Sequence, residues 1–265
     1  MASSDGELTG RPKRRRGLLV GVLGVILVIV VAGVVILDGV ARSAAADQIE
    51  HKIRTGLSLG PESIVTVEVG GFSVLAQLAV GRLDDVRVAA NDVALGELTG
   101  SFAVHATGLP TDTSKAVKRL TADVRLDAED VKKVIGTFGT VPLDSLTIAD
   151  GALHLKSDLQ VFGSLRIPVG VDLTPSAMNG EIALTPTAVA LAGKSVSAAD
   201  VKQQFPGLGD ALFEPRTFCI ADALPKKLVL DSARVAGNEL VLSFAATGLR
   251  LDADSLAAKG TCPSS

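Results

Sequence analysis

The feature that most constrains this chain is an uncharged apolar run near its N-terminus, residues 17–37 (GLLVGVLGVILVIVVAGVVIL). As a helix rising about 1.5 Å per residue, the run would be roughly 31 Å long, which matches the hydrocarbon thickness of a bilayer. Five basic residues lie within residues 11–16, immediately before it. Because positively charged flanks stay on the cytoplasmic side, the run predicts a single-pass anchor, with residues 1–16 as a cytoplasmic tail and residues 38–265 as an extracytoplasmic domain.

Two other interpretations of this run stay open. Small residues follow it, so that it could be a signal peptide cleaved near Ala46, although the apolar stretch of a signal peptide is usually only about 7–15 residues long. The second alternative is a helix buried inside a soluble protein. The uncleaved anchor is the prediction that we adopt, and it places the main domain outside the cell membrane.

The exported part of the chain is acidic and poor in aromatic residues. Residues 1–16 hold five of the 26 Lys and Arg and two of the 29 Asp and Glu, which leaves a net charge of −6 on the remainder. Nucleic-acid sites need clustered cations and, for single strands, aromatic platforms. This chain has no Trp, no Tyr and eight Phe. We therefore expect no nucleic-acid partner, and an interior built from Val, Leu, Ala and Ile.

The two cysteines, Cys219 and Cys262, are expected to form a disulfide. Disulfides persist outside the cytoplasm, which is where the anchor would place them. The bond would close a separation of 43 residues and contribute about 4 kcal/mol on the chain-entropy account. A metal site on this pair is disfavoured because no histidine lies near either cysteine in sequence.

Downstream of the run, the sequence predicts one long helix and then mainly strands. Residues 38–57 carry Ile49, Ile53 and Leu57 at a spacing of four, which is typical of an amphipathic helix. Beyond Pro61, apolar and polar residues alternate as in strands with one buried face. Strands are predicted over residues 63–69, 83–88, 93–106 (continuous or broken at Gly100), 121–126, 146–155, 165–173, 181–191, 228–235 and 239–244.

Two short helices interrupt these strands. Each begins at a residue that caps helix N-termini, Asp127 or Ser197, with an acidic residue three positions later. The expected fold class is α+β: an N-terminal transmembrane helix, then a long curved antiparallel β-sheet wrapped around a helix. The alternation leaves one face of that sheet aliphatic.

The sequence contains no recognisable catalytic constellation. The histidines, His51, His105 and His154, have no His, Cys or carboxylate at metal-binding spacing. No Gly-x-Ser-x-Gly elbow, Walker loop or His-Glu-x-x-His motif is present. We therefore expect no enzyme, no metal and no cofactor, and we interpret the histidines as surface or packing residues.

Residues 71–81 (GFSVLAQLAVG) form an apolar segment that is bracketed by glycines and does not alternate. It is either a buried crossover or the lining or mouth of a lipid site. On the second interpretation, charged residues at the rim would suit a lipid phosphate. The predicted lipid-contacting residues are Phe72, Leu75, Leu78, Phe102 and Phe138 along the acyl chains, with Arg82 and Arg87 at the rim.

This segment and its surroundings resemble a known family. Residues 67–78, 81–88 and 224–228 are similar to the actinobacterial LmeA-like lipid-binding proteins, as are the N-terminal anchor and the β-rich body. The resemblance extends over roughly residues 40–255. It implies a periplasmic protein that binds phospholipid, with a fold similar to the tubular lipid-binding proteins and no catalytic residues.

The leading hypothesis is a membrane-anchored extracytoplasmic protein that binds phospholipid or glycolipid acyl chains in an aliphatic groove. Such a protein would serve lipid transfer or the biogenesis of envelope lipids and glycolipids. The alternative is a non-catalytic scaffold or interaction protein of the cell envelope, with a packed interior. A continuous apolar cavity would favour the first hypothesis over the second.

Overall fold

The computed structural model describes residues 37–55, 63–95, 98–138, 143–161, 165–191, 193–205, 207, 210 and 213–262. The apolar run of residues 17–37 lies outside this description except for its last residue, Leu37. Among the described residues, no helix has the length and hydropathy needed to cross a membrane. The anchor and the domain boundaries drawn from it therefore stay predictions.

The helices of the described chain include the long amphipathic helix that the sequence predicts. They are α1 (residues 37–55), α2 (Val74–Val80), α3 (Ala128–Phe138), α4 (Ala198–Gln204) and α5 (Ala253–Ala257). Both predicted N-caps are confirmed. The backbone N–H of Asp130 donates to Asp127 Oδ1 at 2.9 Å, and that of Asp200 donates to Ser197 Oγ at 3.2 Å.

The strands form two antiparallel sheets. They are β1 (Ile64–Val69), β2 (Arg82–Leu95), β3 (Leu98–Pro110), β4 (Arg119–Leu126), β5 (Ser145–Ala149), β6 (Ala152–Val161), β7 (Leu165–Met178), β8 (Glu181–Leu191), β9 (Lys194–Ser197), β10 (Arg216–Phe218), β11 (Val229–Ala236) and β12 (Glu239–Thr247). The first sheet has the order β1-β2-β3-β4-β12-β11. The second has the order β10-β8-β7-β6-β5, with β9 pairing to β8.

The α+β class is confirmed, but the strands divide into two sheets where one long sheet was predicted. The helix α1 packs on the first sheet, through Ala41, Ala45, Ala46, Ile49 and Ile53. The second sheet instead lies over the β11–β12 edge of the first, since β11 contacts both β7 and β8. Alternation predicts strands with a buried face, but it does not say which element covers that face.

The predicted strand over residues 93–106 also differs from the structure. The strand β2 ends at Leu95, which pairs with Leu98 at the start of β3, whereas Gly100 lies within the ladder opposite Val93. A Cβ atom at Gly100 would lie 3.0 Å from the carbonyl oxygen of Arg125. This glycine is therefore required by the close approach of the neighbouring strand and not by a turn.

The two sheets create two apolar cores. The first core lies between α1, α2 and the first sheet, and its buried residues are Val65, Val69, Val74, Leu83, Val86, Val88, Ala90 and Val93. The second core lies between α3, the second sheet and strands β4, β11 and β12. Its buried residues are Leu126, Val131, Leu146, Ile148, Leu153, Leu230, Ala233, Leu240, Leu242 and Phe244.

Candidate functional site

The second core contains a cavity of about 310 Å³. Every described side chain that lines it is apolar, and these side chains come from α3 and both sheets. The lining residues are Val131, Ile135, Leu153, Leu155, Leu173, Ile182, Leu184, Phe218, Ile220 and Leu240. The volume lies at the lower end of the range for small-molecule sites, about 300–1,000 Å³. Because a polar ligand would lose its hydrogen bonds here, the lining selects an aliphatic one.

The strand pleat explains why these residues share one space. Leu153 and Leu155 on β6 alternate with His154, and successive side chains on a strand point to opposite faces. Leu173 pairs directly with Leu153 across the β6–β7 ladder, and it adds to the same apolar face. Ile182 and Leu184 continue this face onto β8. The helix α3 covers it with Val131 and Ile135.

The most exposed of the described lining residues belongs to β10. Phe218 lines the cavity and still exposes 40% of its surface. The strand β10 is three residues long and pairs only with β8 among the described strands. Few hydrogen bonds therefore hold this wall in place.

A disulfide next to this wall supplies further support. The predicted bond between Cys219 and Cys262 is confirmed, with the two Cα atoms 5.7 Å apart. Cys219 lies between Phe218 and Ile220, which both line the cavity. The bond therefore connects one wall of the cavity to the C-terminal segment.

The residues predicted to contact lipid lie away from this cavity. Phe102 on β3 packs against the first core, while Arg82 and Arg87 on β2 are exposed. Phe138 ends α3, and its side chain lies outside the described part of the structure. Of the seven predicted residues, six have described side chains, and none of these six lines the cavity. Their contact with lipid stays a prediction.

The other three, Phe72, Leu75 and Leu78, belong to the apolar segment that forms α2 and its N-terminal loop. Only Val74 and Gln77 of this helix are buried, so the interpretation as a buried crossover is wrong. Phe72 is completely exposed, and Leu75 and Leu78 each expose 40% of their surface. The segment presents apolar side chains to its surroundings.

The start of α1 holds this segment in position. Asp38 Oδ1 accepts hydrogen bonds from the Leu75 backbone N–H at 3.0 Å and from Ser73 Oγ at 2.8 Å. These two bonds, with the Leu75 N–H as the larger contribution, lower the pKa of the Asp38 carboxyl. The guanidinium of Arg42 donates to the carbonyl oxygens of Val69 and Gly71. The loop before α2 is therefore fixed to the residues that directly follow the apolar run.

Two histidines have carboxylate partners that their sequence neighbours do not reveal. His105 Nε2 lies 2.9 Å from Asp85 Oδ2, and His154 Nδ1 lies 2.7 Å from Asp172 Oδ1. The hydrogen bond to Asp172 raises the pKa of His154. Both partners lie on adjacent strands, so strand register brings them together. Within the described ranges, no three His, Cys, Asp or Glu side chains are grouped to hold a metal ion.

A comparison with protein families complements this geometry. A family model described as LmeA-like phospholipid-binding matches residues 36–245. The matched range begins just before α1 and includes every residue that lines the cavity. No curated protein and no solved structure matches the chain.

Proposed function

The chain belongs to the LmeA-like phospholipid-binding family, and we propose that its cavity holds an acyl chain of a phospholipid or glycolipid. The observation that carries this proposal is the cavity of about 310 Å³ with ten apolar lining residues. A filled interior would have favoured the alternative of a scaffold or interaction protein. The cavity favours a lipid binder.

The energetics of such a complex follow from the lining. Each methylene transferred from water contributes about 0.8 kcal/mol, so ten methylenes would contribute about 8 kcal/mol before the costs of ordering the lipid. The lining residues offer no side-chain partner for a phosphate. The headgroup would therefore remain near the exposed Phe218, because burying its charge would be strongly unfavourable.

We further propose that the domain works outside the cytoplasm while attached to the cell membrane. Three features support this placement: the uncharged run of residues 17–37, the basic cluster before it, and the disulfide between Cys219 and Cys262. An anchored cavity would exchange lipids with the adjacent leaflet over a short distance. Lipid transfer or the biogenesis of envelope lipids and glycolipids is the role that fits this arrangement.

Filling the cavity tests the proposal. Leu155→Trp introduces a large side chain into the cavity, whereas Lys156→Trp places the same side chain on the exposed face of the same strand. We expect the wild type and Lys156→Trp to co-purify with phospholipid, and Leu155→Trp to retain roughly tenfold less because its ring occupies the acyl-chain volume. Mass spectrometry of lipids extracted from the purified full chain measures the occupancy.

Two results would contradict the proposal. The first is wild-type protein that carries no lipid and takes up none from phosphatidylcholine vesicles. The second is equal lipid content in the Leu155→Trp and Lys156→Trp variants, which would place the lipid outside the cavity. Thermal unfolding of both variants shows whether each is folded before its lipid content is compared.

A further inference from the structure

The exposed surface of α2 is apolar, although α2 does not line the cavity. The segment from residue 71 to residue 81 contains no charged residue, and its two polar side chains are used internally. Ser73 caps α2 and donates to Asp38. Gln77 is buried, where it donates to the Gly70 carbonyl and accepts from the Asp84 N–H. Only apolar side chains are left to face outward.

These outward side chains make the exposed surface of α2 and its N-terminal loop apolar. Phe72, Leu75, Leu78 and Val80, which we name the α2 patch, are exposed to 101%, 40%, 40% and 75% respectively. At 100° per residue, the exposed Ala76 and Ala79 lie on the helix side opposite the buried Val74 and Gln77. Leu75, Leu78 and Val80 lie on the two flanks of that side, and Phe72 precedes the helix. A contiguous exposed apolar surface of this kind is typical of a protein or membrane contact.

The position of the α2 patch indicates which contact it makes. Asp38 and Arg42 bind the loop around α2, and Asp38 directly follows the last residue of the apolar run. If that run crosses the bilayer, the polypeptide leaves the membrane within one helical turn of the α2 patch. Leu37 and Val40, at the start of α1, are also exposed, by 60% and 63%. The apolar surface therefore lies where the membrane would be.

The rim of the α2 patch has charge suited to a membrane interface. Arg82 lines a shallow groove together with Phe72 and Val80, and Asp84 lies in the same groove. A guanidinium beside exposed apolar side chains can bind a lipid phosphate while the apolar side chains enter the acyl boundary.

We propose that the α2 patch inserts into the outer leaflet beside the anchor and fixes the orientation of the domain on the membrane. This inference rests on the membrane anchor of the proposed function, and it does not require a lipid in the cavity. The α2 patch would attach the domain to the membrane at the end of the first sheet that carries α2. Phe72, Leu75 and Leu78 would then contact lipid of the bilayer instead of lipid in the cavity.

The amino-acid composition offers a clean reporter for this contact. The chain has no Trp and no Tyr, so a single introduced tryptophan is the main fluorophore. Phe72→Trp places it in the α2 patch, at a position where the side chain is completely exposed. Asn238→Trp is the control. Asn238 lies in the exposed β11–β12 turn, at the end of the first sheet opposite α2. The two positions are roughly 25–30 Å apart along the strands.

The experiment uses the full chain in vesicles of phosphatidylcholine and phosphatidylglycerol, purified by flotation. Replacing the phosphatidylcholine by its brominated form should quench the tryptophan at position 72 by about twofold or more, and that at position 238 hardly at all. Adding Val80→Asp to Phe72→Trp should reduce the quenching, because a carboxylate in the α2 patch resists insertion. Val80 is mostly exposed, so this change leaves the fold intact.

The outcomes separate this inference from the function proposed above. If the chain floats with the vesicles but the tryptophan at position 72 is quenched no more than the one at position 238, the insertion of the α2 patch is overturned. The anchor is not overturned by that result. A blue-shifted but unquenched tryptophan at position 72 also overturns the insertion, since the patch would then bind protein, such as a second copy of this chain. If the chain does not float with the vesicles, both the anchor and the insertion of the α2 patch are overturned. Lipid content of the cavity is measured independently, by extraction.

Discussion

The two cores of this protein differ in what covers their strands. In the first core, α1 places three alanines and two isoleucines against the first sheet, and Val86, Ala90 and Val93 expose 2% or less. In the second core, the 11-residue α3 and the second sheet meet over Leu, Ile and Phe side chains that leave about 310 Å³ unfilled. The small residues of α1 allow the helix to approach its sheet closely.

Among the described residues, the same alternating pattern builds one core with fully buried side chains and one hollow core. The strands of both sheets place aliphatic side chains on one face, and the covering element decides whether the space closes. A filled core contributes stability, whereas a hollow one forgoes packing contacts and becomes available to a ligand. Changes at the wall of the second core, inside each core and on the outer face of the second sheet should therefore have different effects.

The largest effect is expected from opening the wall of the second core. Replacing both cysteines, by Cys219→Ser with Cys262→Ser, should lower the free energy of unfolding by about 4 kcal/mol, because a restraint on the unfolded chain is lost. Amide exchange should increase most around Phe218 and Ile220 and least in β1 and β2. Urea unfolding and hydrogen-exchange mass spectrometry measure the two effects.

Wild-type protein treated with a reductant is the matched control, and it should behave as the double variant does. An equal increase of amide exchange in both cores would contradict this difference between the cores, because it would show that the disulfide supports the whole domain evenly.

An intermediate effect is expected from enlarging one side chain in each core. Ala90→Leu adds volume where the side chain is completely buried, and it should cost about 1–3 kcal/mol because a close-packed core must deform. Ile182→Phe adds volume at the cavity, and it should change the stability by less than about 0.5 kcal/mol while reducing bound lipid. Chemical unfolding of the two variants gives the comparison. Similar losses in both would show that the second core is as tightly filled as the first.

The smallest effect is expected on the outer face of the second sheet. The pKa of His154 is raised by Asp172, so the ion pair stabilises the folded protein below the ordinary histidine pKa of 6.5. This contribution is lost as the pH rises through the raised pKa of the folded state. The pair is partly exposed, so His154→Gln should cost no more than about 1 kcal/mol at low pH and nothing at high pH.

Unfolding free energies of the wild type and His154→Gln across this pH range measure the difference. Asp172→Asn should abolish the same pH dependence, and neither variant should change the lipid content, because the pair lies on the face away from the cavity. A stability difference that does not vary with pH would contradict the ion pair.

Several local features could be predicted from the sequence because they depend on residues close together in the chain. Period-two alternation predicts the strands, and the residues Asp127 and Ser197 predict two helix starts. Gly100 shows the limit of such local reasoning. A glycine is expected at a turn, but here it serves a close contact with the carbonyl of Arg125, which is distant in sequence.

The candidate site was much less predictable. The segment around α2 was predicted to contact lipid because it is apolar, does not alternate and is bracketed by glycines. The cavity instead draws one or two residues from each of several elements, between Val131 and Leu240. Taken singly, each is an ordinary residue of a half-buried strand or helix. The histidine partners Asp85 and Asp172 were missed for the same reason, since they lie on neighbouring strands.

The sequence by itself determined the long helix α1, the starts of α3 and α4, most of the strand segments, the α+β class, the pairing of the two cysteines and the resemblance to a lipid-binding family. These depend on local periodicity, on the count of cysteines and on motifs along the chain. Only the tertiary structure decided that the strands form two sheets, that the second core is hollow and that the α2 segment is exposed. Those features depend on which faces meet and on how closely they approach, and side-chain volumes across a contact are not encoded in the period of any single segment.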